Sequence, residues 1–274
     1  MRPVAVNPGF SELSRMAELL WSLTSRDVRV RYKHSALGVA WAVLLPLSMM
    51  LVFTFVFTRA VDVRSALAVD MPYPLYAYLG LAPWTFFAAS LTGCVNSLVA
   101  NRNLVTKVYF PREVFPLSCI AGAFFDFCIA MAVLAALMVY FQWTGEREFA
   151  AHPAVAFLPV VLAVQIAFTI GVGMLAAMAN LFFRDVRQIV TVGIQLWMFV
   201  SGVVVPVPRD DSWLAWGIGI NPMVPIIGAY RDCIVYGRLP EAVPFLYAAA
   251  AAALVLVFGW RWFRRASFRF AECI

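Results

Sequence analysis

Seven apolar runs set the elements this chain forms. They cover Ser35–Thr58, Pro74–Val99, Val114–Gly145, Phe149–Phe183, Gln188–Pro208, Ser212–Tyr230 and Ala242–Trp260, and Asp126 in the third is the one formal charge among them. A helix rises about 1.5 Å per residue, so about 20 residues cross the hydrocarbon layer of a bilayer. Six of the runs predict continuous spans. Ser212–Tyr230 is long enough but holds Gly217, Gly219, Asn221, Pro222, Pro225 and Gly228, which interrupt a helix several times. It predicts instead two short re-entrant or interfacial helices, roughly Ser212–Ile220 and Pro225–Tyr236, within an outer segment 207–237. Irregular backbone at that depth survives only under a cover of protein or in a wet cavity.

Ahead of the first run, Leu13, Met16, Leu20, Leu23, Asp27 and Val30 recur at three- and four-residue spacings, with Glu12, Arg15, Glu18, Ser22 and Arg26 on other faces. That pattern predicts an amphipathic helix lying in the membrane interface. The expected architecture is an all-α membrane protein. It has an N-terminal interface region 1–34, a six-helix transmembrane domain over 35–262 with the re-entrant pair between spans five and six, and a basic tail 263–274.

Composition supports this reading and removes others. Of 274 residues 63% are hydrophobic and 13% charged, half the charge of an ordinary soluble domain, which excludes a soluble single-domain enzyme. The first 34 residues mix basic and acidic side chains without an apolar block ending in a cleavage site, so no cleaved signal peptide is expected. Of the 21 basic residues, fifteen fall in the N-terminal region, the loop 100–113, the turn 184–187 and the stretch after Trp260, and six fall on the opposite side. The positive-inside rule then puts both termini in the cytoplasm.

Candidate chemistry is sparse. Lys33 and Lys107 are the only lysines, and neither follows a phosphate-cradling glycine loop, so the chain is not expected to hydrolyse ATP. Asp126 shares a helix face with Ser118, Gly122 and Ala130; the readings are a neutral or hydrogen-bonded carboxyl that fixes helix packing, or a polar hinge. Asp210 and Asp211, with Arg209, Arg231, Asp232 and Glu241 near in sequence, read as solvated loop charges. His34 and His152 fall on opposite sides of the membrane. Five cysteines, with Cys94, Cys119 and Cys128 in apolar runs, predict neither a disulfide framework nor a metal site.

Aromatic residues say more. Trp41 and Phe55 fall within about 40° of each other on a helix, and Tyr76 and Phe87 within about 20°. Trp84, Trp197 and Phe199 add to them. Such rings serve as core, lipid-facing or interfacial groups, and they also suit a sugar path, because aromatic faces stack on the apolar faces of sugar rings. Arg26, Arg29, Arg31 and Lys33 fall where anionic head groups lie.

The stretches RDVRVRYKHSALGVAWAVLLP (26–46), PYPLYAYLGLAPWTFF (72–87), NSLVANRNLVTKVYFPREVFPL (96–117), NLFFRDVR (180–187), QLWMFVSGVVVP (195–206) and NPMVPII (221–227) together resemble the ABC-2-type permeases that export polysaccharides. The likeness is nearest to O-antigen and related cell-surface polysaccharide permeases, and similar to capsule and teichoic-acid exporters. It implies an inner-membrane homodimer that works with two copies of a separate ABC ATPase, which holds the ATP and Mg; the chain itself carries no cofactor. It implies a cytoplasmic coupling helix at about 101–113, with Asn101, Arg102, Lys107, Phe110, Pro111 and Arg112 against the ATPase and the turn Arg184 to Arg187 beside them. The substrate it implies is a lipid-linked polysaccharide. The lipid pyrophosphate would enter past Arg26, Arg29, Arg31 and Lys33, and the polymer would pass Trp41, Phe55, Tyr76, Trp84, Phe87, Trp197 and Phe199. No nucleic-acid partner is expected. An ABC-2 exporter of lipids or drugs, and a membrane enzyme acting on a lipid-linked sugar, are the rival classes.

Overall fold

A computed structural model describes residues 8–33, 40–59, 71–102, 104, 111–145, 149, 152–207, 217–267 and 270. Among the described residues the main helices run in order: α1 (Pro8–Lys33), α2 (Ala40–Arg59), α3 (Tyr73–Ala100), α4 (Val114–Trp143), α5 (Leu158–Phe182), α6 (Val186–Val200), α7 (Met223–Arg231) and α8 (Ala242–Ser267). A 3-10 turn, Pro153–Phe157, leads into α5, and a π-helical turn, Asp232–Tyr236, continues α7. No strand occurs among the described residues.

Among the described residues five helices are long and apolar enough to cross a membrane: α2, α3, α4, α5 with its 3-10 turn, and α8. The sixth expected span is shorter than its apolar run. α6 has 15 residues, or about 22 Å of helix, and stops at Val200 although the run continues to Pro208. The cause is local: Gly202 takes a left-handed φ of 66°, and Pro206 has no N–H to extend the ladder. Ser201–Val204 nevertheless stay buried.

α3 is the centre of the bundle. Most of its residues are buried, and α2, α4, α5, α6 and α7 all lie against it. The Tyr78 hydroxyl donates to the Ala130 carbonyl of α4 at 3.1 Å, and Asn180 of α5 donates to the Val95 carbonyl at 2.8 Å. Such bonds hold helices together where lipid offers no hydrophobic drive between them. α8 packs along α5 through facing glycines. A Cβ on Gly171 would lie 2.6 Å from the Leu256 backbone nitrogen, and one on Gly259 would lie 2.5 Å from the Gly171 carbonyl oxygen, so the two backbones touch.

α1 runs from Pro8 to Lys33, longer at both ends than the 11–31 periodicity predicts. It does not simply lie beside the bundle: it packs against α4, and Arg31 pairs with Asp126, about 18 Å along α4 from its start. Gly122 leaves room for this arginine, whose Nη2 lies 3.7 Å from where a Cβ would be.

Replacing Gly171 with Leu is expected to separate α5 from α8 and lower stability by about 1–3 kcal/mol or more. Thermal unfolding of the purified protein in detergent measures this. Gly228→Ala, where an added Cβ meets nothing within 4 Å, serves as the neutral control.

Candidate functional site

At the C-terminal end of α6 the irregular segment Ser201–Val204 lies buried with carbonyls that no helix satisfies. Side chains satisfy them instead. Arg231, at the end of α7, donates through Nη1 to the Gly202 carbonyl at 2.9 Å and through Nη2 to Val203 at 2.9 Å and Tyr76 at 3.2 Å. Its guanidinium also stands 3.7 Å from the centre of the Tyr76 ring. The Tyr76 and Tyr73 hydroxyls donate to the Gly202 and Val204 carbonyls at 3.4 and 3.1 Å. Asn221 donates to Ser201 Oγ at 2.9 Å. Gly80 makes the approach possible, since a Cβ there would lie 2.3 Å from the Val203 carbonyl oxygen.

Tyr230, the preceding residue, reaches the other way. Its hydroxyl donates to Gln165 Oε1 at 2.8 Å, and Gln165 Nε2 donates to the Pro83 carbonyl at 2.7 Å. Two neighbouring residues of α7 thus bind it to α3, α5 and the end of α6. Arg231 is a correction to the sequence reading, which treated it as a solvated loop charge; it is 9% exposed. Its spacing of four from the buried Ile227 is the one signal in the sequence, and its acceptors are backbone groups that no side-chain pattern reveals. Asp232, next in the chain, instead faces Arg238 at 2.7 Å. This hydrogen-bonded carboxylate raises the Arg238 pKa above its ordinary value.

The aromatic candidates divide into two groups. Trp84, Phe87, Phe168 and Trp197 form one inward cluster, with the Trp197 ring centroid 6.2, 5.1 and 6.2 Å from the other three. Tyr76, Trp84 and Phe87 are buried, and Trp197 turns onto the core with Val190, Ile194 and Met198. Within this chain these four are packing residues rather than surface ones. The reason is geometric: α3 is central, and Trp197 lies on the helix face opposite Phe199, about 200° away. Trp41 (47% exposed), Phe55 (70%) and Phe199 (58%) do face outward.

α6 buries none of its residues fully. Its outward face carries Gln188, Thr191, Val192, Gln195 and Phe199, all exposed, within about 120° of the helix circumference. α2 likewise sets Pro46, Met50, Phe53 and Phe57 inward and Trp41, Leu45, Val52 and Phe55 outward. Tyr73 joins the C-terminal ends of the two helices, with its ring 5.8 Å from Phe57 and its hydroxyl on Val204.

At the opposite end, Arg26 bonds Asp27 and donates to Asn101 Oδ1 at 3.2 Å. Arg31 holds Asp126, so the carboxylate acts between α1 and α4. Arg29 and Lys33 are exposed, as are Arg102, Pro111, Arg184 and Arg187. Lys107, Phe110, Asp210 and Asp211 lie outside the described residues. Arg112 donates to the Ser267 carbonyl and stands 5.8 Å from the Phe270 ring. Glu113, which sequence reasoning passed over, is 6% exposed and accepts from Arg264 Nε at 3.0 Å. Among the described residues no cluster of His, Cys, Asp or Glu suits a metal ion.

Several helices of spanning length define a multi-pass helical membrane protein. The chain belongs to the ABC-2 type transporter family, which matches residues 18–235. It is 32% identical to the O-antigen export system permease protein RfbA of Myxococcus xanthus over 96% of this chain and 98% of that one. It is 30% identical to the protein of the same name from Klebsiella pneumoniae, over 96% and 97%. It is 25% identical to the polysialic acid transport protein KpsM of Escherichia coli, over 89% and 91%.

Replacing Arg231 with Met is expected to strand the Gly202 and Val203 carbonyls and to lower stability by about 3 kcal/mol or more. Unfolding of the detergent-solubilised protein, followed by tryptophan fluorescence, measures this. Arg238→Met, on an exposed side chain, should stay within about 1 kcal/mol of the unaltered chain.

Proposed function

We propose that the chain is the channel-forming permease subunit of an ATP-driven exporter that moves lipid-linked polysaccharide, O-antigen or a similar polymer, across the cytoplasmic membrane. The observation that carries this reading is the outward face of α6. Gln188, Thr191 and Gln195 on a membrane helix are costly against lipid, but they suit a wet path, and Phe199 among them offers a ring for sugar stacking. The near full-length likeness to O-antigen export permeases supports the same substrate class. The polysialic acid transport relative supports capsule polymer as the second reading.

One chain cannot enclose a glycan, because α3 and its neighbours fill the middle of the bundle. Two copies related by a two-fold axis, with α2 and α6 of each facing the other, supply the path. Trp41, Phe55 and Phe199 then line it. α6 and the segment 201–207 together make the sixth crossing, and α7 with the preceding turn is the re-entrant pair at the outer mouth. Both termini are cytoplasmic, by the distribution of basic residues.

Energy comes from two copies of a separate ABC ATPase that bind the ATP and Mg. The segment 101–113, with Asn101, Arg102, Lys107, Phe110 and Pro111, and the turn Arg184 to Arg187 dock on it. Arg29 and Lys33 are the exposed cations for the lipid pyrophosphate, while Arg26 and Arg31 hold α1 in place. An export permease so driven has no catalytic group of its own.

Disrupting the gene is expected to leave finished polymer inside the cell. In a reconstituted complex, Trp41→Ala or Phe55→Ala should slow translocation about threefold to tenfold, the worth of one stacking contact, with basal ATP hydrolysis retained. Gln188→Leu with Gln195→Leu should act in the same direction. Normal surface polymer after gene disruption, or copurification of the chain without any ATP-binding subunit, would refute the reading.

A further inference from the structure

The segment 101–113 is gripped at both ends. At its start Arg26 of α1 holds Asn101. At its end Glu113 is buried and bound by Arg264 of α8, and Arg112 donates to the Ser267 carbonyl in the last turn of the same helix. Phe270, fully buried beyond that turn, closes the contact from below. It lies 5.1 Å from Phe263, 6.3 Å from Phe182 at the end of α5, and 5.8 Å from the Arg112 guanidinium. A displacement of residues 101–113 therefore has a non-covalent route into α8 beside its covalent route into α4.

At the far end of α8, Tyr247 donates its hydroxyl to the Ile220 carbonyl at 2.6 Å. Tyr247 and Arg264 are separated by about 26 Å of helix, most of a bilayer. Between them α8 rests on α5 with backbones in contact at Gly171 and Gly259. Ile220 adjoins Asn221, which bonds Ser201 Oγ at 2.9 Å and the Val200 carbonyl at 3.3 Å. The chain of contacts thus ends on the outer terminus of α6, the helix with the polar outward face.

We propose that α8 is the rod that carries coupling motion across the membrane: Glu113 and Arg264 pass displacement of the segment 101–113 to α8, and Tyr247 delivers it to the outer end of α6. Glu113, Arg264 and Tyr247 are positioning residues for export and touch neither polymer nor nucleotide. This rests on the export reading above. The physical requirement for such a relay is a contiguous set of packed and hydrogen-bonded groups with a response at both ends, and the two polar contacts at the ends of α8 are the places to break it.

The test measures polymer exported per ATP hydrolysed by the full reconstituted complex. Arg264→Gln, Glu113→Gln and Tyr247→Phe are each expected to lower that ratio about fivefold or more, a usual size for coupling between sites, with complex assembly and ATP hydrolysis kept. Exchanging the charges, Glu113→Arg with Arg264→Glu, should recover most of the loss. Arg264 is largely exposed, so its variant reports even where the buried Glu113 variants do not assemble. An unchanged ratio in Arg264→Gln, or an assembled charge exchange that stays uncoupled, overturns the relay. A wild-type complex that spends ATP without moving polymer overturns the export reading instead. The relay is then read from an ATP-dependent fluorescence change of a label at Ile220→Cys, expected in the parent and lost with Arg264→Gln; a change that persists in that variant overturns it.

Discussion

One buried arginine makes possible the end of the bundle where α6 stops. Ser201–Val204 leave the helix while still inside the bundle, and a bare carbonyl there has no water to turn to. Arg231 spans the gap with two nitrogens and takes a third carbonyl from Tyr76. Bonds from a charged donor are roughly twice as strong as neutral ones and gain further in a medium of low polarity. Everything around the segment follows from this. Gly80 has no side chain because the Val203 carbonyl occupies that space, Tyr73 and Tyr76 sit where their hydroxyls meet the remaining acceptors, and α7 lies where it can bring Arg231 in.

The same economy appears at the other end. Polar groups within the bundle are spent on holding helices to one another: Gln165 between α7 and α3, Asn180 between α5 and α3, Asp126 between α4 and α1, Glu113 between α4 and α8. In a membrane, apolar surface gives no preference for one neighbour over lipid, so specific assembly falls to these bonds and to close backbone contact at small residues. The outward face of α6 does not contribute to this holding: Gln188 and Gln195 are exposed, and Thr191 bonds back to the Arg187 carbonyl of its own helix at 2.8 Å.

Much of this was legible in the residue pattern. The apolar runs marked α2, α3, α4, α5 and α8, because membrane insertion is read from length and polarity alone. The glycines and prolines of 217–228 marked a broken segment; the chain is helical at 217–219 and breaks at 220–222, while Pro225 and Gly228 are taken into α7. Trp41 and Phe55 were placed on one face by arithmetic, and that face is exposed. The arithmetic also put Tyr76 and Phe87 together, but it carries no information about which way the shared face turns, and α3 buries its residues on nearly all sides. Trp197 and Phe199, only two apart, face opposite ways for the same reason.

The sequence by itself determined that the chain is helical, that it lies in a membrane, which side its charges favour and which family it resembles. Each of these depends on local composition, spacing or motif. Only the tertiary structure decided the partners of its few polar groups. Arg231 reads as a loop charge until the carbonyls of 202 and 203 stand before it, Arg112 shows no sign in the sequence of its bond to Ser267 at the end of α8, and Glu113 attracts no notice until Arg264 closes on it. The physical reason is that a hydrogen bond depends on the position and direction of two groups, and for these pairs the second group lies 28 to 155 residues away along the chain.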